Sequence, residues 1–332
     1  MDHKPAPRPH TQAKPHAASS LARLQQVLVA GAVTLILLWA WWAAPGYSLA
    51  SLAGLTLMVL GHAWVLGVEI LAAVVVNRSD DSPRASAAEW VGAWWQEVRV
   101  APKVFAWRQP FCWRNLPDTT ERLTTSAPGV VLIHGFFCNR GFWLPWMERL
   151  RSLGVPYLSV NLEPVFGSID DYVPIIEAAV ADATLLTGKP PTLICHSMGG
   201  LAARAWLAAT PGAARRIGKV ITIGTPHRGT WLARFSHLDN GRQMRQDCDW
   251  QQGLVARERA LDPRCNADRF VCWYSNTDNI VFPASTATLP GADNRHVAGA
   301  AHVALAFHPR VMEESLSMLA SAASSPSDRT AE

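Results

Sequence analysis

Three residues of complementary chemistry stand far apart in the chain. Ser197 lies in "TLICHSMGG" (192–200), Asp278 in "NTDNIVFP" (276–283), and His302 in "HVAGAAHVAL" (296–305). A serine hydroxyl is a weak nucleophile until a base takes its proton. An imidazole serves as that base when a carboxylate fixes its other nitrogen. The chain order serine, acid, histidine is one of the orders in which such triads occur. Asp293 and His296 compete for two of the roles, and His308 is a third histidine. Asp293 falls in "LPGADNRH", which reads as a turn, and His296 opens a short strand. Asp278 instead follows a strand end, and His302 sits at a small-residue turn before a helix, so these two are preferred.

The surroundings of Ser197 supply the frame. An apolar run precedes it, and Met198-Gly199-Gly200 opens a helical pattern, which makes a strand, a sharp turn and a helix. Such a turn exposes the serine hydroxyl at the strand end, and it needs small residues on either side where strand and helix crowd together. Gly199 fills one small position. Cys195 occupies the other, where glycine is usual, and reads as a small-for-small replacement supporting the turn. Upstream, "HGFFCNRGFW" (134–143) follows the first strong strand. The backbone N–H groups of Phe136 and Met198 are the expected donors to a developing oxyanion. Losing one such donor costs about 2.7–4 kcal/mol of barrier.

These residues need a rigid scaffold, and the pattern around them provides one. Strands read at 129–135, 156–162, 192–197, 219–224 and 269–275 alternate with helices near 141–153, 168–186 and 198–208. Apolar strands separated by helices imply a parallel sheet covered on both faces. The segments "VLIHGFFCN", "ICHSMGGLAAR", "ITIGTPHRGT" and "DNIVFP…AAHVAL" resemble blocks of the α/β-hydrolase family, specifically bacterial lipases and esterases, across about residues 129–320. The resemblance implies an α/β-hydrolase fold, with Ser197 as nucleophile, His302 as general base and acid, and Asp278 as its orienter. It also implies a small cap over the acyl pocket at about 231–267. Cys195 and Ala301 depart from family glycines without removing a catalytic group. His227 lies near the sheet edge, where it either lines the pocket or packs in the core.

The rest of the chain is organised differently. Residues 1–23 read as a disordered basic tail, 24–78 as two transmembrane helices, 79–128 as a Trp-rich amphipathic connector ending in an early strand pair around Trp107, Phe111 and Trp113, and 321–332 as a disordered tail. Val27 to Ala44 and Leu49 to Val76 are each about long enough to cross a bilayer. Trp39, Trp41, Trp42 and Tyr47 sit where an interfacial belt belongs, while Arg23 and Arg78 flank the outer ends. A helical hairpin in a bacterial inner membrane with the catalytic domain cytoplasmic follows from the positive-inside rule; a periplasmic catalytic domain is the other topology. His62 and Glu69, seven residues apart on one face of the second span, either pack the spans against each other or a partner, or mark a functional site. The connector helix either lies in the membrane interface or packs on the catalytic domain.

A net charge of +4 is too mild for nucleic-acid binding. The six cysteines show no metal spacing, so they read as unpaired thiols, with a Cys248–Cys265 bridge as the alternative. No metal or organic cofactor is implied. The partners expected are a bilayer and a lipid or other acyl-ester substrate. Thioester hydrolysis or acyl transfer on the same triad, and a catalytically silent membrane scaffold, are the competing functions.

Overall fold

The computed structural model describes residues 19–46, 48–121, 127–262 and 265–324. Six parallel strands form one sheet: β1 (Val130–Ile133), β2 (Tyr157–Ser159), β3 (Thr192–His196), β4 (Val220–Ile223), β5 (Phe270–Ser275) and β6 (Asp293–Val297), in the order β2-β1-β3-β4-β5-β6. β1, β3 and β4 are buried at every position. This is why they read as unbroken apolar runs rather than as alternating patterns. Eleven helices accompany the sheet among the described residues: α1 (Ser20–Ala43), α2 (Leu49–Val76), α3 (Ala87–Pro102), α4 (Gln109–Phe111), α5 (Leu144–Ser152), α6 (Val173–Thr187), α7 (Met198–Ala209), α8 (Asp239–Gln243), α9 (Asp249–Leu261), α10 (His302–Ala306) and α11 (Pro309–Ser324). Trp206 and Ile176 belong to the core on one face of the sheet, and Trp146 and Trp273 to the core on the other.

Three sequence expectations need correction. The strand pair around Trp107, Phe111 and Trp113 does not form. α3 runs on through a π-helical stretch, Lys103–Arg108, into α4. Trp107 and Phe111 are four residues apart, a helical spacing, and their rings meet at 5.6 Å. Trp113 lies past the helix, where its carbonyl accepts from the wholly buried Arg140. Asp293 is not in a turn but opens β6, where it pairs with Arg295. Of the tails expected at 1–23 and 321–332, residues 1–18 and 325–332 lie outside the described residues. Ser20–Arg23 is instead the first turn of α1, begun by the Ser19 cap and buried at Leu21 and Ala22.

α1 and α2 make an antiparallel pair in which Trp39 Nε1 donates to the Ser51 carbonyl. Most of their apolar side chains face outward: Leu35 is 61% exposed and Trp64 71%. Trp41 and Trp42 sit exposed near the end of α1, and Tyr47 of the expected belt lies outside the described residues. Both outer ends of the pair are tied to the domain that carries the sheet. At the start of α1, Ser20 N–H donates to Glu163 and Gln26 to the Pro110 carbonyl. At the end of α2, Asn77 accepts from Ala284 N–H and Asp80 from Ser285 N–H. Glu163 follows β2, and Ala284 and Ser285 follow β5. Both contacts are therefore made by loops beyond the carboxyl ends of strands, the edge where open α/β sheets place their sites. α3 packs on both partners: Trp94 Nε1 donates to Ala63 of α2, and Glu97 reaches into the sheet domain, while Val91 and Trp95 stay exposed.

The segment 231–267, expected to form a cap, divides in two. α9 lies against α7, with Leu254 in the core and Glu258 gripping the buried Arg204 by two hydrogen bonds of 2.8 and 2.7 Å. The part before it bridges the loops after β2 and β5: Asn240 donates to the Val165 carbonyl, and Trp231 N–H to that of Phe282.

Candidate active site

Ser197 caps α7 directly beyond β3, with φ 53° and ψ −129°. A positive φ is uncommon outside glycine, and strain of this kind costs of order 1–3 kcal/mol, so it persists only where neighbours enforce it. Here Ser197 N–H donates to the Ile223 carbonyl at 2.9 Å, and the Ser197 carbonyl accepts from Thr225 Oγ1 at 2.9 Å. Gly199 is obligatory in this turn. A Cβ there would lie 2.4 Å from the Ile133 carbonyl oxygen and 2.6 Å from that of His134. The tip of β1 thus presses on the first turn of α7. Cys195 is fully buried in β3, and burial pushes its thiol pKa up, which keeps it protonated and unreactive.

Cys195→Gly is therefore expected to keep turnover within a few-fold. Cys195→Leu should lower the melting temperature and abolish turnover, since overpacking a tight core costs about 1–3 kcal/mol. Thermal melts and kcat on the two variants check this.

The structure brings Asp278 and His302 together. Asp278 Oδ2 lies 2.9 Å from His302 Nδ1, while Oδ1 accepts the N–H groups of Ile280 and Val281 at 2.9 and 2.8 Å. With Nδ1 directed at the carboxylate, Nε2 is the ring nitrogen left to act as base. Burial alone would lower the pKa of His302, but the charge and hydrogen bond of Asp278, with the carboxylates of Glu97 and Glu69, raise it above the ordinary histidine value. The His302 ring lies 4.6 Å from that of His196, the residue before Ser197, and His196 Nε2 donates to the His302 carbonyl at 3.2 Å. No hydrogen bond joins Ser197 to His302 among the described residues; in unliganded sites such contacts are often long and close with substrate.

The loop after β1 reaches the same point. A Cβ on Gly135 would fall 2.7 Å from the Ser197 Cβ. His134 accepts Leu162 N–H on Nε2 at 3.1 Å, so its proton is on Nδ1, which donates to the Gly135 carbonyl at 2.9 Å. Burial lowers the pKa of His134 to about 4 and keeps the ring neutral. A trans peptide sets its N–H opposite its C=O. The Gly135 carbonyl is held by His134, so the Phe136 N–H of that peptide faces the other way. Met198 N–H is in the first turn of α7, where no helical carbonyl can accept it.

The other candidates are placed elsewhere. His296 is in β6 beside the Tyr274 ring, and His308 follows α10. His227 is wholly buried, with Nε2 3.0 Å from Thr222 Oγ1, so it packs in the core. All six cysteines are free thiols, and Cys248 contacts the Gln243 carbonyl, not Cys265. His62 Nε2 donates to the Val98 carbonyl of α3, while Glu69 accepts from Asn279 at 2.8 Å. The face they share is turned to the connector and the site. No group of three or more metal-binding side chains occurs among the described residues.

Residues not singled out from sequence complete the site. Glu97 of α3 is almost wholly buried and accepts the N–H groups of Val303 and Ala304, at 3.0 and 3.1 Å, just beyond His302. Burial raises its pKa to about 7 despite those bonds. Asn279 accepts His302 N–H at 3.1 Å and donates to Glu69. The backbone of His302 is thereby held between α2 and α3.

The alpha/beta hydrolase family model matches residues 130–315, more than half of the chain. The chain belongs to this family. The hydrolase is similar in structure to the mature lipase BlEst2 of Bacillus licheniformis, with TM-score 0.53 and 16% identity over 61% of this chain and 95% of that one. It is likewise similar to lipase B of Aspergillus fumigatus, with TM-score 0.53 and 16% identity over 62% of this chain and 55% of the other. At these identities the likeness establishes the fold. No curated protein matches the hydrolase in sequence. α1, α2 and α3 all precede the matched residues, so Glu69 and Glu97 reach the site from outside the family region.

If His302 acts as base, it works only when neutral. The acid limb of the kcat/KM profile is then expected above the ordinary histidine value. Glu97→Gln removes a negative charge beside the ring and should move that limb to lower pH; a pH profile of the two proteins measures it.

Proposed function

We propose that this hydrolase is a membrane-anchored carboxylic ester hydrolase acting on bilayer lipids through a Ser197-His302-Asp278 triad. Ser197 Oγ attacks the ester carbonyl as His302 Nε2 takes its proton. The negative charge on the tetrahedral oxygen falls to the N–H groups of Phe136 and Met198. His302 returns the proton to the leaving alcohol, and water then resolves the acyl-enzyme by the same route. The observation that carries this reading is the 2.9 Å Asp278–His302 pair beside a serine on a strained strand-to-helix turn. Asp278 holds Nδ1–H and stabilises the imidazolium.

The membrane assignment rests on the outward apolar surface of α1 and α2, too extensive for a water-facing hairpin. Both helices root at the carboxyl edge of the sheet, which supports a site opening toward the bilayer. Arg23 and Arg78 near their outer ends favour cytoplasmic termini in a bacterial inner membrane.

The test is fatty-acid release from acylglycerols and lysophospholipids in phosphatidylcholine vesicles holding the full-length protein. Release by the wild type and none by Ser197→Ala is expected. A wild type that releases nothing would favour a silent scaffold. Appearance of the acyl group on an added alcohol or thiol in place of free acid would assign a transferase.

A further inference from the structure

A cavity of about 790 Å³ lies between the first turns of α1 and the segment that follows β2. Leu21 and Leu24 form one wall, and Pro164, Val165 and Phe166 the other. Its size is within the roughly 300–1,000 Å³ typical of small-molecule sites. Apart from the Ser20–Glu163 hydrogen bond at its rim, the named walls are apolar.

Its two ends point to the occupant. Outward, α1 continues as a strongly exposed apolar surface, with Val27 69% and Leu28 55% exposed. Inward, the Phe166 ring stacks on Phe137 at 6.3 Å and meets Phe136 at 6.1 Å. Phe136 follows Gly135, which abuts Ser197. A succession of apolar side chains thus links the groove to the loop beside Ser197, and one wall of the groove is built by α1, outside the family region. Leu24 and Phe166, which face each other across the groove, are each 39% exposed.

We propose that this groove takes one acyl chain of a bilayer lipid and delivers its ester along Phe166 and Phe137 to Ser197. The inference rests on the ester-hydrolase reading above and adds the binding site for the chain. It makes α1 part of the substrate site as well as an anchor.

The test compares kcat/KM for p-nitrophenyl palmitate dispersed in phosphatidylcholine vesicles with that for p-nitrophenyl butyrate, using full-length protein in the same vesicles. Leu24→Trp fills the groove and should lower the palmitate-to-butyrate ratio about tenfold or more, as expected when two or so methylene groups lose their burial. Leu35→Trp, on the exposed flank of the same helix, should leave the ratio at the wild-type value. An unchanged ratio in Leu24→Trp, a proportional loss of both activities, or an equal fall in Leu35→Trp overturns the groove while the hydrolase reading stands. A wild type that cleaves neither ester removes the hydrolase reading, and the groove with it.

Discussion

Ser197→Ala is expected to lower kcat by on the order of 10⁶-fold, the scale seen when a nucleophilic serine is removed from a working triad. The protein should still fold. The contacts that hold the turn are made by backbone: Ser197 N–H to Ile223, and the Ser197 carbonyl from Thr225 Oγ1 and Gly200 N–H. None uses the hydroxyl. Thermal melting should therefore stay near wild type, while ester turnover and fluorophosphonate labelling disappear together. The residual rate would come from substrate binding and from the Phe136 and Met198 N–H groups, which alanine leaves in place. A Ser197→Ala protein that melts like wild type and retains more than a few per cent of turnover would remove Ser197 as nucleophile.

Asp278→Asn carries the second-largest expected loss, roughly 10⁴-fold in kcat with little change in KM. The two carboxylate oxygens of Asp278 have different partners. Oδ1 is fixed by the N–H groups of Ile280 and Val281, so in the amide the oxygen must take that place. The amide NH₂ then faces His302 Nδ1 across the 2.9 Å contact. A donor there forces the His302 proton onto Nε2, the nitrogen that has to accept from serine. The fold is preserved and the base is disabled. KM is spared because Asp278 is 1% exposed and does not face substrate. Steady-state kinetics on the purified variant separate the two constants. A large rise in KM with kcat intact would place Asp278 in binding instead.

The candidate site was legible in sequence to an uneven degree, for physical reasons. The frame around Ser197 was readable because it is local: a buried apolar strand, a turn demanding glycine and a helix lie within about twenty consecutive residues. Five of the six strands are legible for the same reason, since strands buried on both faces carry no polar alternation to confuse them, whereas the exposed, polar start of β6 at Asp293 hides all but its end at His296. Asp278 and His302 were found by chain order and by their places just beyond strands.

The supports of His302 had no such signal. Glu97 lies 206 residues before Val303, and Glu69 lies 210 before Asn279, so only the folded chain shows that they meet. A buried acid in a tryptophan-rich amphipathic helix looks the same in sequence as an exposed one. Trp107 and Phe111 were misread because aromatic residues suit strands and helices alike, and four-residue spacing becomes decisive only once α3 is seen to run on into it. The part of His134 in fixing the Gly135–Phe136 peptide depends on Leu162, which the segment after β2 brings in.

These supports also join the two halves of the molecule. α2 reaches the histidine turn through Glu69 and Asn279, and α3 reaches it through Glu97. The apolar helices are thus continuous with the frame that holds His302.

The most direct measurement is mass-spectrometric mapping of the adduct left by a fluorophosphonate on the full-length protein in vesicles. A single adduct on Ser197, lost in Ser197→Ala and sharply slowed in Asp278→Asn, is the result predicted by a serine activated through His302. No adduct on folded wild-type protein, or an adduct on Cys195 or any other residue with Ser197 unmodified, would contradict it.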